Sequence, residues 1–191
     1  MKDEFYKAIS KINDADLREA CCKLADTLPA YFWTAPASSS GKYHPMCDLG
    51  EGGLVRHSLM VCKVALDLYD AEIFMPKSSI LPEFEKDMIR VTALFHDCLK
   101  QGCLDEGGHT VFTHPILAAE CVSQHLYNIV PIEAIQTISS AIKRHMGRWT
   151  TSQYDTATLE KPETPFDKLI HTADYVASRK YIGGLEDWNE V

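Results

Sequence analysis

Apolar residues spaced three and four positions apart run through almost the whole chain, and this spacing constrains the fold more than any other feature. Such spacing puts apolar side chains on one face of an α-helix, whereas a half-buried strand needs strict alternation, of which we find no run. The sequence therefore predicts an all-α fold. We expect about six to seven helices, over about residues 3–12, 14–32, 53–71, 81–99, 115–128, 131–146 and 165–181.

Proline marks the start of several of these helices. Pro115, Pro131 and Pro165 each stand where the first helical residue is expected, a position at which the missing N–H of proline is no loss. Thr164 precedes the last of them and has the hydroxyl group of a good N-cap residue. These residues therefore predict where three of the helices begin.

The longest irregular stretches are residues 34–52 and 147–163. We predict that both are loops over a site rather than linkers between domains. A chain of 191 residues is also of ordinary size for one domain. We therefore expect a single domain over 1–191, with N-terminal helices in 1–33 and the functional core in about 43–181.

Cysteine content, hydropathy and charge narrow the cellular setting. The seven cysteines are odd in number, contain no C-x-x-C pair and follow an N-terminus without an apolar signal region, so we expect reduced thiols and a cytoplasmic protein. No apolar run approaches the ~18 residues of a transmembrane helix, and we expect no membrane partner. A formal charge of −8 disfavours duplex DNA and favours a small anionic substrate in a local cationic cleft.

Metal-type side chains lie on the apolar faces of the predicted helices. His57 follows Leu54 by three residues and precedes Val61 by four, and His145 follows Ile142 by three. These histidines therefore point toward the helix interfaces rather than toward solvent. One such histidine is more often a packed core residue than a ligand, so the prediction of a site depends on the complete set.

The other members of the set occupy similar positions. Asp174 lies four residues after Ile170, the pair His96 and Asp97 ends an apolar helix, and His114 begins another helix. Burying a carboxylate costs several kcal/mol or more unless it is paired or bound to a metal. We therefore predict that these side chains coordinate cations between the helices. The candidate ligands are His57, His96, Asp97, His114, His145 and Asp174.

The order of these residues resembles the H…HD…D signature of the HD-domain metal-dependent phosphohydrolases. Five segments carry the resemblance in the same order, over about residues 43–181: "GGLVRHSLMV", "HDCLK", "THPILAAE", "RHMGRW" and "ETPFDKLIHTADYVASRK". The first two are similar to the G-G-L-x-x-H and H-D-x-x-K patterns of the exoribonuclease-type branch. The resemblance implies a helical bundle with a metal site between its helices.

The resemblance also implies two divalent ions and a mechanism. The first ion would be held by His57, His96, Asp97 and Asp174. Asp97 would bridge to a second ion held by His114 and His145. The ions would be Mn, Fe, Ni, Co, Zn or Mg, and a mixed nitrogen and oxygen set suits most of these better than Ca. A metal-bound hydroxide would then attack phosphorus in line.

Lys100, one helical turn beyond Asp97, is predicted to join Asp97 as a catalytic residue by donating to a phosphoryl oxygen or to the leaving group. The alternative is a salt bridge to a surface acid. The same lysine stands where nucleotidase-type relatives often carry glutamate, and no G-Y-P motif follows His145. These departures argue against assignment to the 5′-nucleotidases or to the cyclic-dinucleotide phosphodiesterases.

Further residues are candidates for binding substrate. Arg144 and Arg148 flank the candidate ligand at position 145 and can meet a phosphate, with solvated charges at a helix end as the alternative. His171 either contacts substrate or supports the metal ligands, with a packing role as the alternative, and His44 lies in a loop that the resemblance places near the cleft. Trp149 and Tyr175 offer stacking surfaces for a base, or else pack in the core.

Two functions remain open at this point. The first is a metal-dependent phosphohydrolase that cleaves a phosphoester of a nucleotide or short nucleic acid. The second is a non-catalytic HD fold that binds nucleotide or metal as a sensor or partner module, and a purely structural metal site is a further alternative. Monoester, diester, triphosphate and RNA-end substrates are all compatible with the sequence. The N-terminal helices can pack within the domain or across a dimer, so a homo-oligomer is also compatible.

Overall fold

A computed structural model describes residues 1–38, 41–104 and 108–180. Over these ranges the protein is all-helical, as predicted, and its only β-type pairing is an isolated bridge between Ser152 and Asp155. The helices are α1 (Lys2–Ile9), α2 (Ala15–Thr27), α3 (Ala30–Thr34), α4 (Gly53–Asp70), α5 (Pro82–Phe95), α6 (His114–Leu126), α7 (Ile132–Arg144) and α8 (Pro165–Ala177), with a short 3₁₀ turn at Met46–Asp48.

Helix α4 lies at the centre of the fold. It packs against α5 and α8 over most of its length and is also contacted by α1 and α3, while α7 packs on α5, α6 and α8. The stretch from Gly53 to Cys62 is buried almost without interruption, as expected for a helix covered on several sides. Side chains that project from α4, α5, α7 and α8 therefore meet in the middle of the bundle.

Four predicted helices end well before the expected residue, and two of them, α1 and α8, end at Ile9 and Ala177 rather than near 12 and 181. The prediction of one helix over 14–32 was wrong, because α2 ends at Thr27, and Leu28 and Pro29 are extended before α3 begins. A residue before proline is disfavoured in the α conformation, which explains the break. Helix α5 ends at Phe95 rather than near 99, and His96 is its C-cap residue.

A tight turn after α5 carries the H-D pair. The N–H of Cys98 donates to the carbonyl of Phe95 and the N–H of Lys100 donates to the carbonyl of Asp97, at 3.1 and 3.0 Å. Tyr31 fixes the end of this turn, because its hydroxyl donates to the carbonyl of Gly102 at 2.6 Å. The turn is thus held against α3, and burial raises the pKa of the Tyr31 hydroxyl, which stays protonated.

Steric constraints explain the two glycines, Gly52 and Gly53, at the start of α4. Gly52 has φ +71°, in the left-handed region that glycine adopts without strain, and a Cβ on Gly53 would lie 2.0 Å from the carbonyl oxygen of Asp48. The same carbonyl accepts a hydrogen bond from the N–H of Ala37 at 2.9 Å. The loop before α4 therefore packs directly against the first turn of the helix. This contact fixes the start of α4 and so the position from which the His57 side chain enters the core.

Helix α8 begins as predicted, with Thr164 as N-cap and Pro165 in the first turn. The Thr164 hydroxyl accepts from the N–H of Asp167 at 3.0 Å, and the Asp167 carboxylate accepts from the N–H of Thr164 at 3.1 Å, which forms a capping box. Pro131, by contrast, is the N-cap of α7 rather than its first helical residue. None of the helices in the described ranges has the length and apolar character needed to cross a membrane.

Candidate metal centre

Five elements bring the six candidate ligands together. His57 projects from α4, the pair His96 and Asp97 follows α5, and Asp174 projects from α8. His114 is the first residue of α6, and His145 is the C-cap of α7. All are buried except Asp174, whose side chain is 19 % exposed. Every helix end involved is also a point of contact within the bundle, so the cluster belongs to the core.

The first group of side chains surrounds one oxygen of Asp97. His96 Nε2 lies 3.4 Å and His57 Nε2 lies 3.9 Å from Asp97 Oδ2. The carboxylate of Asp174 closes this group, because its Oδ1 lies 3.0 Å from His57 Nε2 and 3.8 Å from His96 Nε2. Two imidazole nitrogens and two carboxylate oxygens therefore face a common point.

The second group surrounds the other oxygen of the same carboxylate. His114 Nε2 and His145 Nε2 lie 3.0 and 3.5 Å from Asp97 Oδ1, and the two ring nitrogens are 3.4 Å apart. His145 also comes within 4.8 Å of candidate ligand atoms on His96 and Asp174, so the two groups are contiguous. Asp97 thus stands between two sets of nitrogen donors, with one oxygen toward each.

Backbone contacts fix the protonation of three of these histidines. Nδ1 of His96, His114 and His145 lies 2.7, 2.6 and 2.8 Å from the carbonyl oxygen of the residue three positions earlier. A carbonyl only accepts, so Nδ1 carries the hydrogen in each ring, and in the neutral form the Nε2 lone pair points at the carboxylates. Lone pairs then face negative oxygens at 3.0–3.5 Å, an arrangement that a cation between them stabilises.

The charges of the cluster agree with a cation site. Burial opposes ionisation of Asp97, but Lys100 and His96 outweigh it and hold its pKa well below the usual value. Burial opposes ionisation of Asp174 too, and the hydrogen bond and charge of His57 lower its pKa. Burial lowers the pKa of His114, which favours the neutral ring, whereas the charge of Asp97 outweighs burial and raises the pKa of His96.

Unpartnered atoms mark the same place. Within the described ranges His96 Nε2 and Asp97 Oδ1, which both face the cluster, are buried and have no hydrogen-bond partner. Buried polar atoms of this kind normally have a partner, and a metal ion supplies one for nitrogen and oxygen alike. The donor set, the tautomers and these orphan atoms all fit a divalent cation of the Mn, Fe, Co, Ni or Zn type.

A cavity of 250 Å³ opens beside the cluster. Candidate ligands form its floor, and its remaining wall residues are Tyr43, His44, Lys100, Thr110, Met146, Trp149, Ser178 and Arg179. A larger cavity of 340 Å³ lies along α7, next to Lys143 and Glu160, but none of the six candidate ligands lines it. The chemistry therefore favours the smaller cavity as the functional one.

Two further predicted residues reach this cavity. Lys100 Nζ donates to Asp97 Oδ2 at 2.5 Å, so its ammonium lies at the cluster rather than on an exposed acid. The ring of His44 packs edge-on against the ring of His57, with centroids 5.0 Å apart. Neither nitrogen of His44 has a hydrogen-bond partner in the described ranges, and burial lowers its pKa to about 3, so the ring is neutral.

Three other predicted residues lie elsewhere. Arg144 is not brought to the cavity, because α7 turns it outward to form ion pairs with Asp167, Glu160 and Glu163. Arg148 and His171 line a neighbouring recess next to the cluster rather than the metal-facing cavity. His171 Nδ1 donates to the carbonyl of the candidate ligand at position 145, at 2.7 Å.

Sequence reasoning missed several wall residues. Tyr43 directly precedes His44 in an irregular loop, and no periodic pattern marked it. Arg179 lies five residues after Asp174, just beyond the end of α8, inside the segment "ADYVASRK" that already carried the family resemblance. That position was the available signal, since a cation shortly after a ligand at a helix end can face the same site.

Comparison with known proteins adds one finding. A family model described as "HD domain" matches residues 54–179, which is more than half of the chain and includes all six candidate ligands. Searches of curated proteins and of solved structures gave no match.

Proposed function

The chain belongs to the HD domain family, and we propose that it is a metal-dependent phosphohydrolase that cleaves a phosphoester of a nucleotide or short nucleic acid. The observation that carries the proposal is the position of Asp97, a buried carboxylate with each oxygen turned toward a different group of imidazole nitrogens. If an ion occupied each group, Asp97 would help to hold both, and a pair of divalent ions would supply the chemistry of two-metal phosphoester hydrolysis.

The ligand assignment follows the two groups. We assign one divalent ion to His57, His96, Asp97 and Asp174. We assign the second to Asp97, His114 and His145. When bound, such ions polarise a phosphoryl oxygen and lower the pKa of water to near neutrality. The backbone carbonyls behind three of the histidines keep their Nε2 atoms aimed at the site, so little reorganisation is needed on binding.

Lys100 supplies the other catalytic charge. Its ammonium lies at the cavity and contacts Asp97, and from there it can donate to a phosphoryl oxygen or to the leaving group as negative charge develops. The chain does not need a serine or cysteine nucleophile for this chemistry. Asp97 would hold the ions and is a poor base, because Lys100 already depresses its pKa despite burial.

The remaining predicted residues take lesser roles. His44 lines the cavity as a neutral ring and can exchange one hydrogen bond with substrate. His171 positions the segment that holds the ligand at position 145, through its hydrogen bond to that residue's carbonyl. Arg148 lies close enough to affect a substrate that extends past the rim, whereas the ion pairs of Arg144 support a structural role.

The substrate class is proposed from the branch resemblance and from the cavity. The G-G-L-x-x-H and H-D-x-x-K segments resemble those of exoribonuclease-type members, which favours a nucleotide or the end of a short strand. A cavity of 250 Å³ beside the cluster favours a small ligand such as a single nucleotide unit.

The test is metal-dependent hydrolysis of two matched aryl substrates. We would strip the protein with EDTA, add back Mn²⁺, and compare bis(p-nitrophenyl) phosphate with p-nitrophenyl phosphate. Asp97→Asn removes the bridging charge, and Asp67→Asn is the control, since Asp67 is an exposed carboxylate on the same α4 that carries His57. We expect Mn²⁺-dependent turnover that Asp67→Asn keeps and Asp97→Asn loses by at least about a hundredfold.

The pattern of results distinguishes the alternative functions. Preferential diester cleavage supports a phosphodiesterase, and preferential monoester cleavage supports a nucleotide phosphohydrolase. If Mn²⁺ binds but neither substrate nor a set of nucleoside triphosphates is turned over, the hydrolase proposal fails and the metal- or nucleotide-binding module replaces it. If EDTA unfolds the protein and no activity is found in the metal-loaded form, the site is structural.

A further inference from the structure

A continuous series of aromatic and cationic side chains runs along one edge of the cavity. The guanidinium carbon of Arg148 lies 4.8 Å from the ring centroid of Trp149, which stacks on Tyr175 with centroids 6.0 Å apart and planes within 19°. Arg179 then lies 4.2 Å from the Tyr175 ring and 5.4 Å from the Tyr43 ring. Each ring in the series contacts a cation or another ring, an arrangement that holds the side chains in place.

Three members of the series face the metal cavity. Tyr43, Trp149 and Arg179 line the same cavity as the candidate ligands and Lys100. Tyr43 and Trp149 are 51 % and 42 % exposed, so both rings are accessible at the mouth of this cavity. Exposed rings at the mouth of a concave site are typical of a ligand-binding wall.

The wall is fixed relative to the metal cluster. Trp149 follows the candidate ligand His145 by four residues, through a turn at Gly147 with φ +64°. A Cβ on Gly147 would lie 2.0 Å from the His171 ring, so the turn presses directly on α8. His171 in turn donates to the carbonyl of His145 at 2.7 Å. The distance from the reacting phosphorus to the Trp149 ring is therefore set by packing rather than by a free loop.

We propose that Tyr43, Trp149 and Arg179 form a nucleobase-binding wall, so that this protein selects substrates in which an aromatic base lies one sugar away from the phosphoester. The proposal rests on the proposed function, whose substrate class it makes specific. Phosphate oxygens meet the ions and Lys100, and the base lies against the two rings and the guanidinium at the rim. Aromatic side chains bind every base through its π-face, so the wall selects a base without reading which one.

The chemistry of the rim favours a base over other aromatic groups. Arg179 Nε and Nη2 donate to the Tyr175 carbonyl and to Ser178 Oγ, at 3.0 and 2.8 Å, and its other N–H groups can donate to the acceptor edges that all four bases carry. The only carboxylates that line the described cavity are the candidate ligands Asp97 and Asp174, which the ions would neutralise. An anionic nucleotide therefore meets a rim of cations and rings despite the overall charge of −8.

The experiment compares ligands that share a phosphate and differ in the base. AMP, GMP, CMP and UMP would be titrated by calorimetry into the Mn²⁺-loaded protein, with ribose 5-phosphate as the matched ligand and released phosphate measured in parallel. We expect each nucleotide to bind about tenfold or more tightly than ribose 5-phosphate. Trp149→Leu should remove most of that difference while leaving ribose 5-phosphate unchanged, and Trp149→Phe should retain it.

Control variants distinguish an effect on the nucleobase-binding wall from an effect on folding. Tyr127→Ala removes an exposed tyrosine at the end of α6 that lines none of the cavities described, and should bind like the unchanged protein. Tyr43→Leu and Tyr43→Phe repeat the test on a separate loop if Trp149→Leu does not fold. Equal affinity for nucleotides and ribose 5-phosphate, or equal weakening of both by Trp149→Leu, overturns the wall. Absence of turnover in the aryl phosphate and nucleoside triphosphate assays as well as with these monoesters, while the base preference is intact, refutes the hydrolase and leaves the wall standing.

Discussion

Asp87 and Asp97 are both carboxylates that are 1 % exposed, and both belong to the segment of α5 and its following turn, but their surroundings are opposite. Asp87 accepts hydrogen bonds from the backbone N–H groups of Asn13 and Asp14 at 3.0 Å and from Arg90 at 3.3 Å. Asp97 faces imidazole nitrogens whose hydrogens point away from it, with Lys100 as its one strong donor.

The difference separates a structural carboxylate from a ligand. Donors built into the fold satisfy Asp87 and join the start of α2 to α5, so its charge is balanced without any added group. Asp97 is left with lone pairs around it and one oxygen without a hydrogen-bond partner in the described ranges. With Lys100 on one oxygen and acceptor nitrogens beside the other, Asp97 leaves a place for an added cation that Asp87 does not, which is why burial alone does not identify a metal site.

The largest expected effect comes from Asp97→Asn. The substitution keeps the shape of the side chain but removes the charge that faces both groups of histidines, so Mn²⁺ content should fall and turnover should drop by about a thousandfold or more. Metal analysis and steady-state kinetics measure the two losses. Thermal unfolding with and without Mn²⁺ is the control, because the stabilisation by metal should vanish with the charge. Full metal content with full activity would contradict the bridging role.

Asp87→Ala should show the reverse pattern. It leaves Arg90 and two backbone N–H groups unpaired in the interior, and we expect the free energy of unfolding to fall by about 3 kcal/mol. Urea denaturation measures that loss. At temperatures where the variant is folded, its Mn²⁺ content and kcat should equal those of the unchanged protein. Loss of metal at full stability would place Asp87 in the site and remove the distinction between the two carboxylates.

The inward orientation of two candidate ligands was predictable from the hydrophobic spacing of the sequence. His57 and His145 continue the apolar faces of α4 and α7, so three-and-four spacing was enough to turn both inward. Arg144 was not predictable in the same way, because the acids that hold it come from the 147–163 loop and from the start of α8. Nothing in the local pattern distinguishes a cation that meets a phosphate from one that meets such acids.

Residues in irregular segments were also beyond prediction from the sequence pattern. Tyr43 and Arg179 meet at the cavity from a loop and from the residues after α8, and no hydrophobic period relates two such positions. The division of 14–32 into α2 and α3 depended on the proline at position 29, whose local effect the apolar spacing on either side concealed. Helical faces thus predicted which candidate ligands turn inward, whereas tertiary contacts decided the walls of the cavity.

Lys100→Met tests whether the lysine beside Asp97 is catalytic or structural. The methionine keeps the length of the side chain and removes the ammonium, so kcat should fall by about a hundredfold through loss of charge stabilisation in the transition state. Mn²⁺ content should stay near that of the unchanged protein, since the nitrogen ligands are untouched. Kinetics and metal analysis on the same sample separate the roles. Metal loss with a proportionate loss of rate would make Lys100 a positioning partner of Asp97.

The smallest expected effect is a pH dependence of stability in the metal-free protein. Burial opposes ionisation of Asp97, but Lys100 and His96 hold its folded-state pKa below the value of about 3.9 expected in an unfolded chain. A depressed folded pKa contributes stability that is present above the unfolded pKa and is lost as the pH falls toward the folded one. In EDTA, urea unfolding from pH 6 down to the lowest pH at which the protein stays folded should therefore show a steeper loss of stability below about pH 4 for the unchanged protein than for Asp97→Asn. The substituted amide does not titrate, so parallel curves would mean that the charge of Asp97 is not stabilised by its neighbours and that the contrast with Asp87 lies in geometry alone.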